Sequence, residues 1–390
     1  MKKHVFLLLG TLAALTLTSC GKGGRFSRPL QEDPTDIRLG SSAAGLLVGE
    51  SKTLSYKLYP SAAYNAEVKF TSDNEDVVTV SNDGTLKAVG AGKANVTATA
   101  GDASQTIPVY VANAAGVNDI KSAATKALAY QAANPITAAK CVEVRNNFTA
   151  GSDGVYYKGY NDYCTYTVSE TGAFVSIDGF EEDLYTKEGA LNKTRYAWIF
   201  HTDEDYATHM YHISDGTKTR LMLNTQSYIG QDRINPIYDI LDGLFRSGRK
   251  IATNQTEGAY EADFTEYASG TSSQSSGFLN KCSNFGTAEN GDLFRLTYKG
   301  SSSEYLAASD EADYEIPAGT FTQSTYVYNM TWYKGVLVCF EIDQVMKYKI
   351  DNEDYRRDTK ICFAYSANSD VKYDLPNDKE YREVGDVFDL

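Results

Sequence analysis

The cysteine at position 20 is the residue whose chemistry says most about where this protein works. It ends the tetrapeptide LTSC (17–20), which closes an uncharged and largely apolar run that follows Lys2 and Lys3. A positively charged start and an apolar run of about a dozen residues are typical of a secretory signal and too short to span a bilayer. The small residues before Cys20 allow the extended chain to enter a peptidase cleft, and the Cys20 thiol can then carry diacylglycerol.

This segment resembles a bacterial lipoprotein signal with its lipobox. The resemblance implies that residues 1–19 are removed and that Cys20 carries fatty acyl groups such as palmitate. Residues 20–34 are rich in Gly, Pro and mixed charge, and they are expected to form a flexible tether. The expected location is the cell envelope outside the cytoplasm, at the outer membrane or on the outer face of the cell membrane.

The charge balance limits the partners. The 390-residue chain has 51 acidic and 37 basic residues and a formal net charge of −14. A chain this acidic is not attracted to nucleic acid or to an anionic lipid surface. Attachment to a membrane must therefore come from acyl chains on Cys20, each buried methylene contributing about 0.8 kcal/mol.

The remaining cysteines are odd in number, and none of their spacings is the C-x-x-C of a zinc knuckle or thioredoxin-like site. Period-two alternation places Cys339 and Cys362 on the same relative face of two late strands, where they could form a disulfide typically worth about 2–4 kcal/mol. Cys141 and Cys164 are a second candidate pair. Buried free thiols are an equally good interpretation of both pairs.

A histidine-rich stretch is the first candidate metal site. His201, His209 and His212 lie close to the acidic run Asp203–Asp205. Histidine and carboxylate ligands together suit several divalent metals. However, an odd spacing sends His209 and His212 to opposite faces of a shared strand, so we expect a solvated hairpin tip and no metal.

The acidic clusters Asp73–Asp76 and Asp351–Asp354 lack the glycine and the final glutamate of an EF-hand loop, and they are expected to be exposed loops. No G-x-S-x-G or H-E-x-x-H motif occurs. Paired carboxylates for glycoside cleavage would be present by chance among so many acids, and nothing singles one pair out. We predict a protein that is not an enzyme and has no cofactor; an undetected hydrolase is the alternative.

Residues 35–112 have the pattern of a small β-sandwich. They are poor in aromatic residues, and short alternating runs such as Val96, Ala98 and Ala100 recur with turn signals every 8–12 residues. Asp83-Gly84 supplies a turn in which a positive φ costs little.

The sequences FTSDNEDVVTV (70–80) and DGTLKAVGAGKANVTA (83–98) resemble the group 2 bacterial Ig-like domain, and LVGES (47–51) fits the same family. The resemblance implies an Ig-like sandwich of the kind found in cell-surface proteins, where it acts as a spacer and, in some cases, within an adhesin. Phe70 stands where the family usually has tryptophan, and either aromatic ring can fill the core.

Residues 116–390 differ in composition, since 25 of the 29 tyrosines lie beyond residue 119. Amphipathic helices are predicted near 119–132 and 236–247, the second after Asn235-Pro236 and before Gly248. Most of the remainder alternates with period two. The predicted fold class is therefore mainly β: an Ig-like sandwich followed by an α+β domain with a curved antiparallel sheet covered by amphipathic helices.

That order of helices and strands behind a lipobox resembles the half-barrel of LolA-like and LppX-like envelope lipoproteins, which hold acyl chains between sheet and helices. A row of large side chains could line such a pocket for a hydrophobic ligand; an ordinary packed core is the alternative. The members of this row are Tyr326, Tyr328, Met330 and Trp332.

Together these features predict an exported, lipid-anchored, non-enzymatic envelope protein. An Ig-like spacer would carry a larger domain that binds a hydrophobic ligand. The alternative is a surface adhesion or interaction protein that binds a macromolecular partner or a glycan.

Overall fold

The fold was taken from a computed structural model of the chain. It describes residues 32–60, 63, 65–116, 118–120, 123, 130, 134, 136–150, 156–169, 174–185, 190–202, 207–214, 217–224, 282–288, 291–301, 321–350, 352–367 and 376–385. The signal segment, Cys20 and the predicted helix 236–247 lie outside these residues.

The first part of the described chain folds into short strands around one apolar core. Burial alternates strictly along the eighth strand, from Ala94 through Val96 and Ala98 to Ala100, which confirms the period-two pattern. The strands are β1 (Asp36–Leu39), β2 (Ala44–Leu47), β3 (Ser51–Thr53), β4 (Tyr56–Tyr59), β5 (Lys69–Ser72), β6 (Val78–Val80), β7 (Thr85–Ala88), β8 (Gly92–Ala100) and β9 (Ala103–Ala114).

These strands pair as a sandwich requires. Strand β8 lies between β5 and β9 in antiparallel pairing, β2 joins β9 in parallel, and β3, β7 and β6 form a second sheet. Phe70 is 7% exposed and lies in the core between them, as expected for the aromatic residue of this position. Burial of one such side chain contributes about 1.5–3 kcal/mol.

The predicted Asp83-Gly84 turn is present. Gly84 has φ = 81°, and a Cβ on it would come within 2.9 Å of the Phe70 ring. The Asp83 carboxylate accepts a hydrogen bond from the Thr85 backbone N–H at 3.1 Å, which closes the turn. Only glycine fits this position because the turn needs both a positive φ and the missing Cβ.

A second, much larger antiparallel array follows. Its strands are β10 (Ile136–Ala150), β11 (Tyr156–Ser169), β12 (Phe174–Tyr185), β13 (Ala190–Thr202), β14 (Ala207–Ser214), β15 (Thr217–Asn224), β16 (Cys282–Ala288), β17 (Leu293–Ser301), β18 (Phe321–Tyr333), β19 (Val336–Ile350), β20 (Glu353–Ala367) and β21 (Arg382–Glu383). Neighbouring strands along the sheet are, in order, β15, β14, β13, β12, β11 and β10, followed by β20, β19, β18, β17 and β16.

The two arrays share a strand. β9 continues past the expected end of the Ig-like segment at Ala112, and its last residues pair with β16, where Asn113 faces Thr287 and Ala114 faces Gly286. A Cβ at Gly286 would come within 2.8 Å of the Ala112 Cβ, so this glycine permits the close approach. Pairing through β9 therefore makes one hydrogen-bonded sheet of 16 strands from both parts.

The described residues confirm the mainly β fold class. Helical structure is described at 118–120, 123 and 130, within the predicted helix 119–132, and Ile120 is fully buried there. Tyr130 packs against the tight turn at Gly335 between β18 and β19. Among the described residues, no helix has both the length and the apolar character needed to cross a membrane. The resemblance to the LolA-like half-barrel stays a prediction.

Candidate functional site

Three chemically reactive side chains meet on one face of β19 and β20. Cys339 and Glu341 are alternate residues of β19 and so share a face, and Cys362 on β20 lies directly opposite Glu341. The two sulfur atoms and a Glu341 carboxylate oxygen all lie within 4.8 Å of one another. Cys339 is 0%, Cys362 4% and Glu341 8% exposed. We call these three residues the thiol cluster.

A loop of the Ig-like segment covers the thiol cluster. Ser42 Oγ donates a hydrogen bond to the Cys362 carbonyl oxygen at 2.7 Å, and Cys362 Sγ lies 3.3 Å from the Ala43 carbonyl oxygen. Ser41 Oγ donates to the same Ala43 oxygen at 2.8 Å. Ala43 is fully buried and packs against Cys339 and Cys362. The cluster therefore lies at the junction between the two parts of the chain.

The same junction supplies positive charge. Lys52 of β3 forms an ion pair and hydrogen bond with Glu341, although the two residues are 289 positions apart in sequence. Arg295 of β17 is 5% exposed and lies 3.6 Å (Nη1 to Oε2) from Glu50 of the Ig-like segment. These pairings match opposite charges across the junction, as a buried charge requires.

The two thiols are not equivalent. The hydrogen bond from the Cys339 thiol, helped by the Lys52 charge and by Ser41, lowers the pKa of Cys362 to about 6 even though burial opposes this. The same hydrogen bond and burial raise the pKa of Cys339 well above its ordinary value. Cys362 is thus the more acidic thiol of this coupled pair.

Small side chains let the junction close. A Cβ on Gly45 of β2 would collide with Thr331 Oγ1 of β18, so only glycine allows the two backbones to approach this closely. Nearby, Thr297 Oγ1 donates a hydrogen bond to Asn329 Oδ1 at 2.7 Å, which satisfies a threonine that is 1% exposed.

The predicted disulfides stay predictions. Cys339 and Cys362 are present as thiols, and the register places them diagonally, because Cys362 faces Glu341. Diagonal neighbours on antiparallel strands have Cα atoms about 7–8 Å apart, whereas a disulfide needs about 4.4–6.8 Å. Cys141 is also a buried thiol, and Cys164 faces Glu143, so this pair is diagonal too. The side chain of Cys164 lies outside the described part of the structure.

The aromatic row predicted to line a pocket is packed against other rings. Trp332 is 1% exposed and stacks on Phe294 with ring centroids 4.7 Å apart and planes at 5°. Met330 is 2% exposed, and the half-buried Tyr328 meets Phe340 edge-on at 5.4 Å. The side chain of Tyr326 lies outside the described residues. These contacts favour the packed-core alternative, and ligand binding by the row stays a prediction.

The histidines occupy neighbouring strands. His201 of β13 lies opposite His209 of β14, while His209 and His212 have the odd spacing that sends their side chains to opposite faces. His209 stacks on Tyr211, with planes at 12°. Asp203–Asp205 lie outside the described residues.

The acidic clusters contain carboxylates that serve the local structure. Asp73 accepts hydrogen bonds from the Asn95 backbone N–H at 2.6 Å and from its side-chain amide at 2.7 Å, and these bonds lower the pKa of Asp73. In the second cluster Asp354 forms an ion pair with Lys349 at 3.1 Å. Asp354 is the second residue of β20 and lies opposite Lys349 of β19, so the second cluster reaches into a strand and is not entirely the expected loop.

Sequence reasoning missed Glu341, Lys52 and the covering loop 41–43. Glu341 carries a usable signal, since its position two residues after Cys339 already places both on one strand face. Lys52 carries none, because nothing in a local pattern pairs residues so distant in the chain. The ion pair between Lys52 and Glu341 depends on how the Ig-like segment docks onto the large sheet.

Comparison with known proteins identifies the first segment. Residues 34–111 match the family model described as bacterial Ig-like domain (group 2). No curated protein sequence matches the chain.

Two of the similar solved structures align with about a fifth of the chain. Domains 4 and 5 of the S-layer protein SbsC are 24% identical over 20% of this chain and 45% of that chain, with a TM-score of 0.18. A GH10 xylanase from termite gut that contains a bacterial Ig-like domain is 18% identical over 21% and 22%, with a TM-score of 0.16. The chain thus spans less than half the length of either. The family match and the strand pairing together identify residues 34–111 as a group 2 bacterial Ig-like domain.

Proposed function

We propose that this protein is a lipid-anchored component of the bacterial cell surface that binds a macromolecular partner, and that it is not an enzyme. The observation that carries the proposal is the group 2 Ig-like domain at residues 34–111, a module typical of surface proteins. Strand β9 of this domain also pairs with β16 of the large sheet. This pairing supports the proposal that the two parts act together as one unit at the cell surface.

The anchor in this proposal is Cys20. Residues before it have the charge and length of an exported signal, and the net charge of −14 provides no electrostatic attraction to an anionic membrane. Two acyl chains on one cysteine would give stable attachment, since anchoring requires two lipid signals. The tether 20–34 would then separate the Ig-like domain from the bilayer.

Partner binding is preferred over a hydrophobic ligand because of the aromatic row. Met330 and Trp332 are almost fully buried and Trp332 stacks on Phe294, so these side chains already have protein partners. A ligand-lining surface would need them to face a cavity. A role in surface interaction is supported instead by the Ig-like domain at residues 34–111, a module found in cell-surface proteins.

The anchor is tested with Cys20→Ala, expressed in the native host beside wild type and beside Cys282→Ala as a matched cysteine control. We expect labelled palmitate to enter wild type and the control but not Cys20→Ala, and protease added to intact cells to digest the anchored forms. Equal labelling of all three would refute lipidation at Cys20.

Partner binding is tested with the soluble form from Gly21 onward, incubated with envelope extract and purified glycans. Recovery of a specific, saturable partner would support the proposal. Organic extraction of the native protein followed by mass spectrometry is run in parallel, and a stoichiometric lipid in the extract without any partner would favour the hydrophobic-ligand alternative.

A further inference from the structure

We propose that Cys339, Glu341 and Cys362 bind one divalent cation that favours thiolate ligands, of the Zn²⁺ class, beneath the Ig-like domain. The three donor atoms lie within 4.8 Å of one another and all three residues are buried. Two sulfurs and one carboxylate oxygen form a ligand set that suits zinc and disfavours calcium or magnesium, which prefer oxygen alone.

The spacing of the donors suits a tetrahedral ion. With Zn–S of about 2.3 Å and Zn–O of about 2.0–2.2 Å, ligand atoms around such an ion lie about 3.3–3.8 Å apart. The three donor atoms of the cluster, all within 4.8 Å of one another, lie close to this spacing. The Ala43 carbonyl oxygen, which accepts a hydrogen bond from the Cys362 thiol at 3.3 Å, lies beside this ligand set.

The surrounding charges balance the site. Two thiolates and the Glu341 carboxylate carry three negative charges, Lys52 carries one positive charge, and a divalent cation supplies the other two. Glu341 can accept a hydrogen bond from Lys52 and coordinate the ion at once, because a carboxylate offers about four lone-pair sites. Arg295 is matched separately by Glu50. Binding releases the thiol protons to solvent, and the buried site ends neutral, as a closed site in a protein interior should.

The cation would connect the two parts of the chain. Its protein ligands lie on β19 and β20, whereas Lys52, Ala43 and the covering hydrogen bond from Ser42 belong to the Ig-like domain. Loading the site should therefore stabilise the docked arrangement, since a ligand that binds only the folded form shifts unfolding by mass action.

The diagonal register argues for an ion over a disulfide at this place. A disulfide between Cys339 and Cys362 would require the strands to shift, because diagonal Cα atoms exceed the usual disulfide span. An ion between the sulfurs needs no such shift. On β10 and β11, Cys164 lies opposite Glu143 and therefore diagonal to Cys141, which is the same register as in the thiol cluster. Cys141 is therefore a matched control residue.

The test uses the whole protein, reduced and made metal-free, and titrated with Co²⁺ and then with Zn²⁺. We expect one equivalent of Co²⁺ to produce thiolate-to-cobalt charge-transfer absorption in the near ultraviolet, and Zn²⁺ to abolish it. Cys339→Ser and Cys362→Ser should lose the band, Glu341→Gln should weaken Co²⁺ binding by about tenfold or more, and Cys141→Ser and Cys282→Ser should retain it.

The Co²⁺ charge-transfer band of the wild-type protein tests the site even if a variant fails to fold. Absence of the charge-transfer band from reduced wild-type protein would overturn the proposal. So would a band that survives Cys362→Ser in a folded protein, or a band lost in Cys141→Ser. A rise in the melting temperature on adding one equivalent of Zn²⁺, absent from Cys362→Ser, would support the connecting role.

Discussion

Strands β17–β20 carry buried side chains on both faces, and these two sets of buried side chains differ in chemistry. One carries stacked rings, with Trp332 on Phe294 and Phe340 beside Phe363 at 6.0 Å. The other carries Arg295 and the thiol cluster. Apolar packing on the aromatic face is non-directional, so its side chains need no specific partner. Each buried polar group on the opposite face needs a specific hydrogen-bond or charge partner.

The partners of the polar face come from the Ig-like domain. Lys52, Glu50 and Ser42 each match one group on the sheet, and Gly45 leaves room for Thr331. The aromatic face therefore stabilises the sheet, whereas the polar face specifies which surface docks on it. A charged junction has this specificity because mismatched partners would leave buried charges unpaired.

The largest expected effect on the free energy of unfolding comes from truncating a buried ring of the aromatic face. Trp332→Ala should lower the free energy of unfolding by about 3–5 kcal/mol, because it removes a large buried side chain and leaves a cavity. Urea denaturation followed by near-ultraviolet circular dichroism measures this. Met222→Ala, at a residue that is 58% exposed, is the control and should change stability by less than about 0.5 kcal/mol. A loss below about 1 kcal/mol for Trp332→Ala would indicate a ligand-lining role.

The next effect comes from breaking the charge match. Lys52→Met should cost about 2–3 kcal/mol in metal-free protein, because it leaves the Glu341 carboxylate buried and unpaired. Lys52 is partly exposed, so the cost lies below that of a fully enclosed pair. The double variant Lys52→Met/Glu341→Met should recover most of the loss. If the double variant is no more stable than Lys52→Met, the pair does not contribute as described.

A smaller effect is expected from closing the gap at Gly45. Gly45→Ala should destabilise the protein by about 1–2 kcal/mol because its methyl group would overlap Thr331 Oγ1. Adding Thr331→Ala removes that oxygen and should return part of the loss in the same unfolding assay. An unchanged stability of Gly45→Ala would show that the two strands do not approach this closely.

The smallest effect concerns a charge away from the junction. The Asn95 hydrogen bonds hold the folded pKa of Asp73 below 3.8, so its stabilisation is present above that pH and is lost as the pH falls through the folded pKa. Asp73→Asn should therefore cost about 0.5–1 kcal/mol at pH 7 and less with increasing acidity. Unfolding measured from pH 7 to pH 2.5 tests the slope. A difference that grows in acid would contradict the assignment.

Local patterns predicted most of the strands but little of the site. The period-two alternation noted beyond residue 119 predicted strands such as β17 and β20, because side-chain direction in a strand depends only on spacing. The Asp83-Gly84 turn was equally predictable, since its conformation is set by adjacent residues. The junction was not, because its contacts join residues some 300 positions apart.

The sequence by itself determined the mainly β class, the Ig-like segment and the faces to which Cys339, Glu341 and Trp332 belong, because these follow from composition, motif and period. Tertiary structure alone decided the register that sets Cys362 opposite Glu341, the extension of β9 onto β16, and the docking that brings Lys52 to the thiol cluster. The physical reason is that periodicity orients a side chain locally, whereas its partner is chosen by long-range pairing and complementary charge.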